Sequence, residues 1–308
     1  MRFALTGTPI ENSLNELLNI FEFLMPNYLI KPKSKKLIEN EEIQQIKKQV
    51  TPFILRRQKI DVLKELPEKV ENTLFAVLDK EQEKLYAYYL ALTKNEIEIN
   101  IKEKGFEKSR IQILAAITRL RQICNHPKLI AKDYNGASGK FDLLLERIEE
   151  MQGQGHRLLL FSQFTSMLTI LREVLDAKNI QYYYLDGKTK SEDRVRLTER
   201  FNKRTEPIDL FLISLKAGGT GLNLTGADVV IHFDQWYNPA VMDQATDRAH
   251  RMGQKKVVQV FNLITKNTIE ERILKLHAKK RQLVDEIITD ETKILSAMTK
   301  EELLSIFS

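Results

Sequence analysis

Three groups of residues in this chain have types and spacing that suit chemistry on phosphates. Gly187-Lys188-Thr189 repeats the end of the pattern G-x-x-x-x-G-K-[ST]. In that pattern glycine amides cradle a phosphate, the lysine neutralises it and the hydroxyl meets magnesium. The first glycine would fall at position 182, where Tyr182 stands. Gln244, Arg248 and Arg251 are spaced four and three apart, which sets them on one face of a helix. Two guanidiniums side by side repel each other and call for an anion or for acids. A triphosphate suits them, because its charge spreads over terminal oxygens during transfer. A solvated face with local pairing to Asp247 is the alternative.

The third group is "SLKAGGTGLNL", residues 214–224, directly after an apolar run. Gly218, Gly219 and Gly221 permit positive φ and close backbone approach, and successive exposed N–H groups make an anion nest. Ser214 and Lys216 add donors. A tight loop that needs glycine only for shape is the competing account. Ser162, Gln163 and Thr165 follow another apolar run and suit helix capping, phosphate binding or both, with Thr165 read as a cap.

These groups need a scaffold, and the apolar pattern supplies one. Short runs recur at 157–161, 182–185, 210–214, 228–233 and 257–264, separated by helical stretches such as 165–178. Alternating strand and helix with continuously apolar strands predicts a buried parallel sheet, an α/β fold with helices on both faces. Ligands of such sheets sit at the carboxyl ends of strands, so the segments after 161, 185, 214 and 233 are the candidate sites. Thr189 and Glu192 form T-x-x-E, a capping box for the helix that follows. A capped helix start is also an anion site, through its free N–H groups and dipole. Asn238 and Pro239 predict a helix opening. Asn267 and Glu270 predict the cap of a long helix over 267–290.

The earlier half reads differently. Leu14, Leu17, Leu18, Phe21 and Leu24 share a helical face that Pro26 ends. Residues 71–78 read as a strand, and 80 to about 127 as helix interrupted near Gly105. "NGASG", 135–139, is a loop and a boundary.

The length of 308 residues suits roughly two domains, and 43% hydrophobic content supports a sizeable core. The net charge of +6 leans towards anionic partners. One cysteine, Cys124, excludes an internal disulfide and a Cys-based zinc site. The five histidines are scattered, so no structural metal is expected. No apolar run is long enough to span a membrane, and the start lacks a signal-peptide pattern. The default is a cytoplasmic protein, nucleoid-associated in a prokaryote and nuclear in a eukaryote. Two look-alikes are set aside. "LVDEII" (283–288) imitates an Asp-Glu box but lies in a helical pattern, and His126 before Pro127 reads as a capping or buried histidine.

"LTGTPIEN" (5–12), "PFILRRQKIDVLKELPEK" (52–69), "LRQICNHPKL" (120–129), "LLFSQF" (159–164), "LDGKT" (185–189), residues 213–254 and "IEERIL" (269–274) occur in this order. Together they resemble the second half of Swi/Snf-family ATPases, helicase-like DNA translocases of superfamily two. The likeness covers nearly the whole chain. It implies RecA-like lobes that close around ATP and Mg2+, with double-stranded DNA across both. It implies arginine fingers at Arg248 and Arg251, with Gln244 opening their motif and Gly219, Gly221 and Asp247 near the nucleotide. DNA contacts would fall to Gln163, Gly187, Lys188, Ser214, Lys216, Gly218 and Trp236.

The departure is that no P-loop and no strand-ending D-E-x-H occur in the 308 residues. ATP and Mg2+ would be held mainly by a first lobe, in cis or in trans, and the chain alone is expected to be inactive. The expected organisation is 1–65 as the end of the first lobe and 66–79 as linker and first strand of the second. A helical insertion then covers 80–135, the second RecA-like lobe 136–266, and C-terminal helices 267–308. "RFALTGT" (2–8) is expected to be a strand lacking sheet neighbours. A non-catalytic duplex-DNA-binding module and a helical docking scaffold are the alternatives.

Overall fold

The computed structural model describes residues 2–5, 14–29, 46, 48–55, 63, 65–203, 205–218, 221–236, 239–275 and 304–307. The chain divides into two compact units: Met1–Glu65 with Val284–Ala297, and Leu66–Leu283 with Met298–Ser308.

In the first unit, helix α1 (Leu14–Leu24) buries Leu17, Leu18 and Phe21, the face its spacing predicts. Leu29, Ile46 and Val50 complete a small core with them. The helix ends before Pro26, and Asn27 takes φ 63. Residues 2–5 carry no strand, which corrects that part of the expectation; Phe3 and Leu5 are exposed. A strand needs a neighbour for its backbone donors and acceptors, and none pairs with these residues among those described. Residues 6–8 of the expected strand lie outside the described residues.

The second unit is built on six parallel strands: β1 (Lys69–Ala76), β2 (Leu158–Ser162), β3 (Tyr183–Leu185), β4 (Leu210–Ser214), β5 (Val229–His232) and β6 (Val258–Thr265). Their spatial order is β1-β6-β5-β2-β4-β3, and every pairing is parallel. Each lies within about two residues of its apolar run. Every residue of β2, β4 and β5 is buried because both sheet faces are covered.

Successive side chains alternate between faces. Leu158 and Leu160 pack with helices α4 (Gly139–Gly153) and α5 (Thr165–Ala177). Leu159 and Phe161 pack with Phe201 of α6 (Ser191–Asn202) and Ala245 of α8 (Pro239–Thr246). Between β4 and β5 a single helical turn, α7, covers Leu215–Gly218.

Helices α2 (Lys80–Lys104) and α3 (Phe106–Asn125) precede this core and break at Gly105, φ 78. Asp79 and Gln82 form a capping box on α2. On α3, Ile113, Ile117, Leu120 and Cys124 recur at helical spacing and are fully buried, which stabilises by about 2 kcal/mol for each aliphatic side chain.

Three expected caps are corrected. Thr165 is the first residue of α5, and the residue before it is Phe164, whose N–H donates to Ser162 Oγ at 3.1 Å. Thr189 makes no cap on α6, because its hydroxyl is engaged by Asp186. The last helix begins at residue 269, with Thr268 Oγ1 accepting the Glu270 N–H at 3.2 Å. Asn267 is at φ 58, unsuited to a cap. Residues 276–290 of the expected long helix, and the "LVDEII" segment, lie outside the described residues.

Candidate functional site

All four expected loops meet at the carboxyl edge of the sheet. Ser162 and Ser214 end β2 and β4 in register with each other, and both are buried. From this pair the site extends in two directions.

On one side are the loops after β3 and β4. Asp186 accepts the Lys188 N–H at 2.8 Å and exchanges hydrogen bonds with Thr189. This closes a turn that leaves Gly187 and Lys188 exposed. Burial works against the Asp186 carboxylate, but these donors and the Tyr184 hydroxyl outweigh it and hold its pKa below the ordinary range. Gly187 has open space where a side chain would stand, so neither packing nor positive φ requires glycine there. Arg194 on α6 then ties the turn to its neighbour. It donates to Thr189 O at 2.9 Å, Asp186 O at 3.0 Å and Ala217 O at 3.4 Å.

The glycine-rich loop begins with Lys216, exposed, and Gly218, buried. A side chain at Gly218 would stand 2.9 Å from the Phe161 ring, so this glycine is required for close packing. Gly221 takes φ 48. Gly219 lies outside the described residues.

Arg248 Nε donates to Gly218 O at 3.1 Å, and Arg251 Nη1 to Leu222 O at 3.3 Å. The spacing predicts one helical face for Gln244, Arg248 and Arg251. The helix ends at Thr246 instead, so Gln244 lies on α8 and the two arginines in the turns beyond it. The Arg248 carbonyl accepts from Leu224 N at 2.8 Å, which draws it out of helical pairing. The arginines still converge on one loop. Burial, then the nearby Arg251 charge, pull the Arg248 pKa below its ordinary range, with Asp247 opposing. Two mutually repelling cations over a glycine-rich loop are suited to binding an anion.

On the other side are the loops after β2 and β5. Asp234, fully enclosed, accepts Ser162 Oγ and, at 3.1 Å, the Gln163 N–H. Burial raises its pKa, against Arg121, Ser162 and Lys140. Gln163 Nε2 is a buried donor without a protein acceptor. Trp236 is half-buried against the core beneath α8, and Tyr237 lies outside the described residues.

Sequence reasoning missed Arg121, Arg194 and Asp234. Asp234 had a signal, being the polar residue just after a buried strand. Arg194 reads as one more charge on a polar helix, and Arg121 as one more between apolar positions, until distant segments come together. His126 matches its reading: its Nδ1 accepts the Lys128 N–H at 3.1 Å. Burial, then Lys128, lower its pKa to about 4.

Among the described residues, no group of three His, Cys, Asp or Glu could hold a metal ion, and no helix is long and apolar enough to cross a membrane.

Two family descriptions match: "SNF2-related domain" over residues 1–129 and "Helicase conserved C-terminal domain" over residues 139–253. An uncharacterized ATP-dependent helicase of Mycoplasma pneumoniae is 40% identical across 99% of this chain and 29% of its own length. The putative ATP-dependent helicase/translocase YwqA of Bacillus subtilis is 38% identical across 97% of this chain and 34% of its own. The chain thus spans about a third of these relatives. The Sulfolobus solfataricus SWI2/SNF2 ATPase C-terminal domain is 30% identical, with TM-score 0.63, over 78% of this chain and 98% of that one. The SWI2/SNF2 ATPase core from the same organism, solved in complex with dsDNA, is 33% identical, with TM-score 0.64, over 98% of this chain and 66% of that one.

Proposed function

This chain belongs to the SNF2-related helicase ATPases, and from that premise we propose that it acts as the second RecA-like lobe of an ATP-dependent duplex-DNA translocase. Arg248 and Arg251 are its arginine fingers. They stabilise charge on the terminal phosphate of ATP held by a P-loop lobe across the cleft. Gln244, Asp247, Gly219 and Gly221 border that nucleotide. Gln163, Gly187, Lys188, Ser214, Lys216, Gly218 and Trp236 track the DNA backbone. Residues 1–65 close the first lobe, 66–79 link the lobes and give the first strand of the second, and 80–135 are an insertion. Residues 136–266 are the second lobe, and 267–308 its terminal helices.

The observation that carries this reading is the convergence of both guanidiniums on the carbonyls of Gly218 and Leu222. Such bonds pre-aim the arginines at little further entropic cost. These cations fit phosphate oxygens. They do not fit Mg2+, for which the described residues offer no carboxylate cluster. The magnesium ligands are therefore assigned to the P-loop lobe. ATP turnover needs that lobe, in cis or in trans, because the 308 residues contain no P-loop.

Mixing the chain with a P-loop lobe from a relative tests this. DNA-stimulated ATP hydrolysis is expected in the mixture and not from the chain alone. Arg251→Ala should lower it at least about a thousandfold. Turnover by the chain alone at the rate of a two-lobe relative sinks the proposal. Salt-dependent duplex binding with no hydrolysis in any mixture favours a non-catalytic DNA-binding module instead.

A further inference from the structure

Helix α3 reaches the carboxyl edge of the sheet through one buried side chain. Arg121 is 2% exposed and donates from Nη2 to the Gln235 carbonyl. Its guanidinium carbon lies 5.8 Å from the centre of the Phe164 ring. Its charge also favours the Asp234 carboxylate, which holds Ser162 and the Gln163 N–H. The loop after β2 is thus held at Ser162 and Gln163 by Asp234 and covered at Phe164 by Arg121. The loop after β5 supplies Asp234 and is held at Gln235 by Arg121.

Behind this pair lies a second one. Lys140 Nζ meets both oxygens of Glu270, at 2.7 and 2.9 Å, and stands 5.0 Å from the centre of the Phe233 ring. Two buried basic side chains thus each accompany a buried carboxyl group. Buried ion pairs are a poor source of stability, since apolar side chains of similar volume often serve as well. What this arrangement does supply is direction. A planar fork bound to a backbone carbonyl fixes that carbonyl in a way an aliphatic side chain does not.

We propose that Arg121 is a positioning residue: with Asp234 it fixes segments 162–164 and 234–236 so that Gln163 and Trp236 meet one nucleic-acid backbone, coupling the α2–α3 helices to that contact. The nucleic-acid half rests on the function proposed above; the positioning half does not.

Trp236 is the chain's single tryptophan, so its fluorescence reports the loop after β5 directly. The test uses the full 308-residue chain and compares Arg121→Lys with Asp234→Asn, which releases the same loops from the other side. Ile113→Val, two turns from Arg121 on the same helix, loosens buried α3 and serves as the control. In both loop variants, well below the melting temperature, Trp236 emission should move to longer wavelength and acrylamide quenching should rise about twofold. The control should leave both unchanged. Affinity for a blunt 30-base-pair duplex should fall about tenfold in both loop variants, the size of one lost charged hydrogen bond.

Should Arg121→Lys fail to fold by far-UV circular dichroism, Asp234→Asn carries the test. Unchanged emission and quenching in the folded loop variants overturn the positioning role. Shifted emission with unchanged duplex affinity overturns the coupling to nucleic acid. If the unsubstituted chain binds no duplex at low salt, alone or mixed with a P-loop lobe, the proposed function fails, while the emission measurements still decide the positioning.

Discussion

Arg248 Nε and the Gly218 carbonyl lie 3.1 Å apart. The bond joins the turn after α8 to the turn after β4, and it depends on Gly218 packing tightly on Phe161. A methyl group at Gly218 would stand 2.9 Å from that ring. Gly218→Ala is therefore expected to cost about 1–3 kcal/mol through overpacking. Urea unfolding would show it as a lower midpoint at constant slope. A midpoint equal to that of the unsubstituted chain would mean that the ring yields and that the glycine serves only the loop's shape.

The Lys140–Glu270 pair gives a second prediction. Its side chains are 0% and 1% exposed, and Glu270 also accepts the Thr265 N–H at 2.8 Å. Lys140→Met or Glu270→Gln alone strands a buried polar or charged partner and should cost about 3–5 kcal/mol. The double variant should cost clearly less than the sum of the two. Strict additivity in a double-mutant cycle would show that the two side chains act independently.

His232 sets a pH dependence. It is enclosed beneath Phe161, with Nε2 2.9 Å from Thr246 Oγ1. Burial, and to a lesser extent Lys69, lower its pKa to about 4, while Glu71 opposes. The unfolded chain, with an ordinary pKa near 6.5, binds the proton first as pH falls. Stability is thus full above about pH 6.5 and declines towards pH 4, with on the order of 2 kcal/mol lost by pH 5. His126 adds a decline in the same window. His232→Gln should flatten the slope of stability against pH between 7 and 5 in urea titrations. A slope as steep as before would assign the effect to other groups.

What the sequence made legible follows from what is local. Apolar runs located β2 to β6, most plainly β2, β4 and β5, because a fully buried parallel strand has nothing to alternate with. Gly105 marked the break between α2 and α3 because only its own φ was at stake. Thr189 and Asn267 misled because a capping residue is decided by competition. The Thr189 hydroxyl had a nearer partner in Asp186, and Thr268 stood one position closer to the helix than Asn267. The arginine pair was found by its spacing, but its helix was drawn too long. The carbonyl partners of Arg248 and Arg251 lie 30 and 29 residues away. Arg121 and Asp234 were invisible as a pair for the same reason, being joined only when the sheet assembles.

The last prediction concerns Arg194, which reaches three carbonyls from one guanidinium: Thr189, Asp186 and Ala217. Those carbonyls belong to the two loops that carry Lys188 and Lys216, the lysines assigned to the DNA backbone. A guanidinium bonds along several fixed directions at once, and an ammonium cannot reproduce that fork. Arg194→Lys is therefore expected to behave like Arg194→Ala and not to rescue it. Each should lose about 1–3 kcal/mol of stability, since hydrogen bonds from a charged donor exceed neutral ones. Native-state hydrogen exchange should locate the damage. The Lys188 amide, held by Asp186 at 2.8 Å, should exchange faster in both variants, while β4 amides such as Leu212 keep their protection. Equal acceleration at both places would indicate global loosening. Unchanged exchange at Lys188 would show that the Asp186 turn holds itself without Arg194.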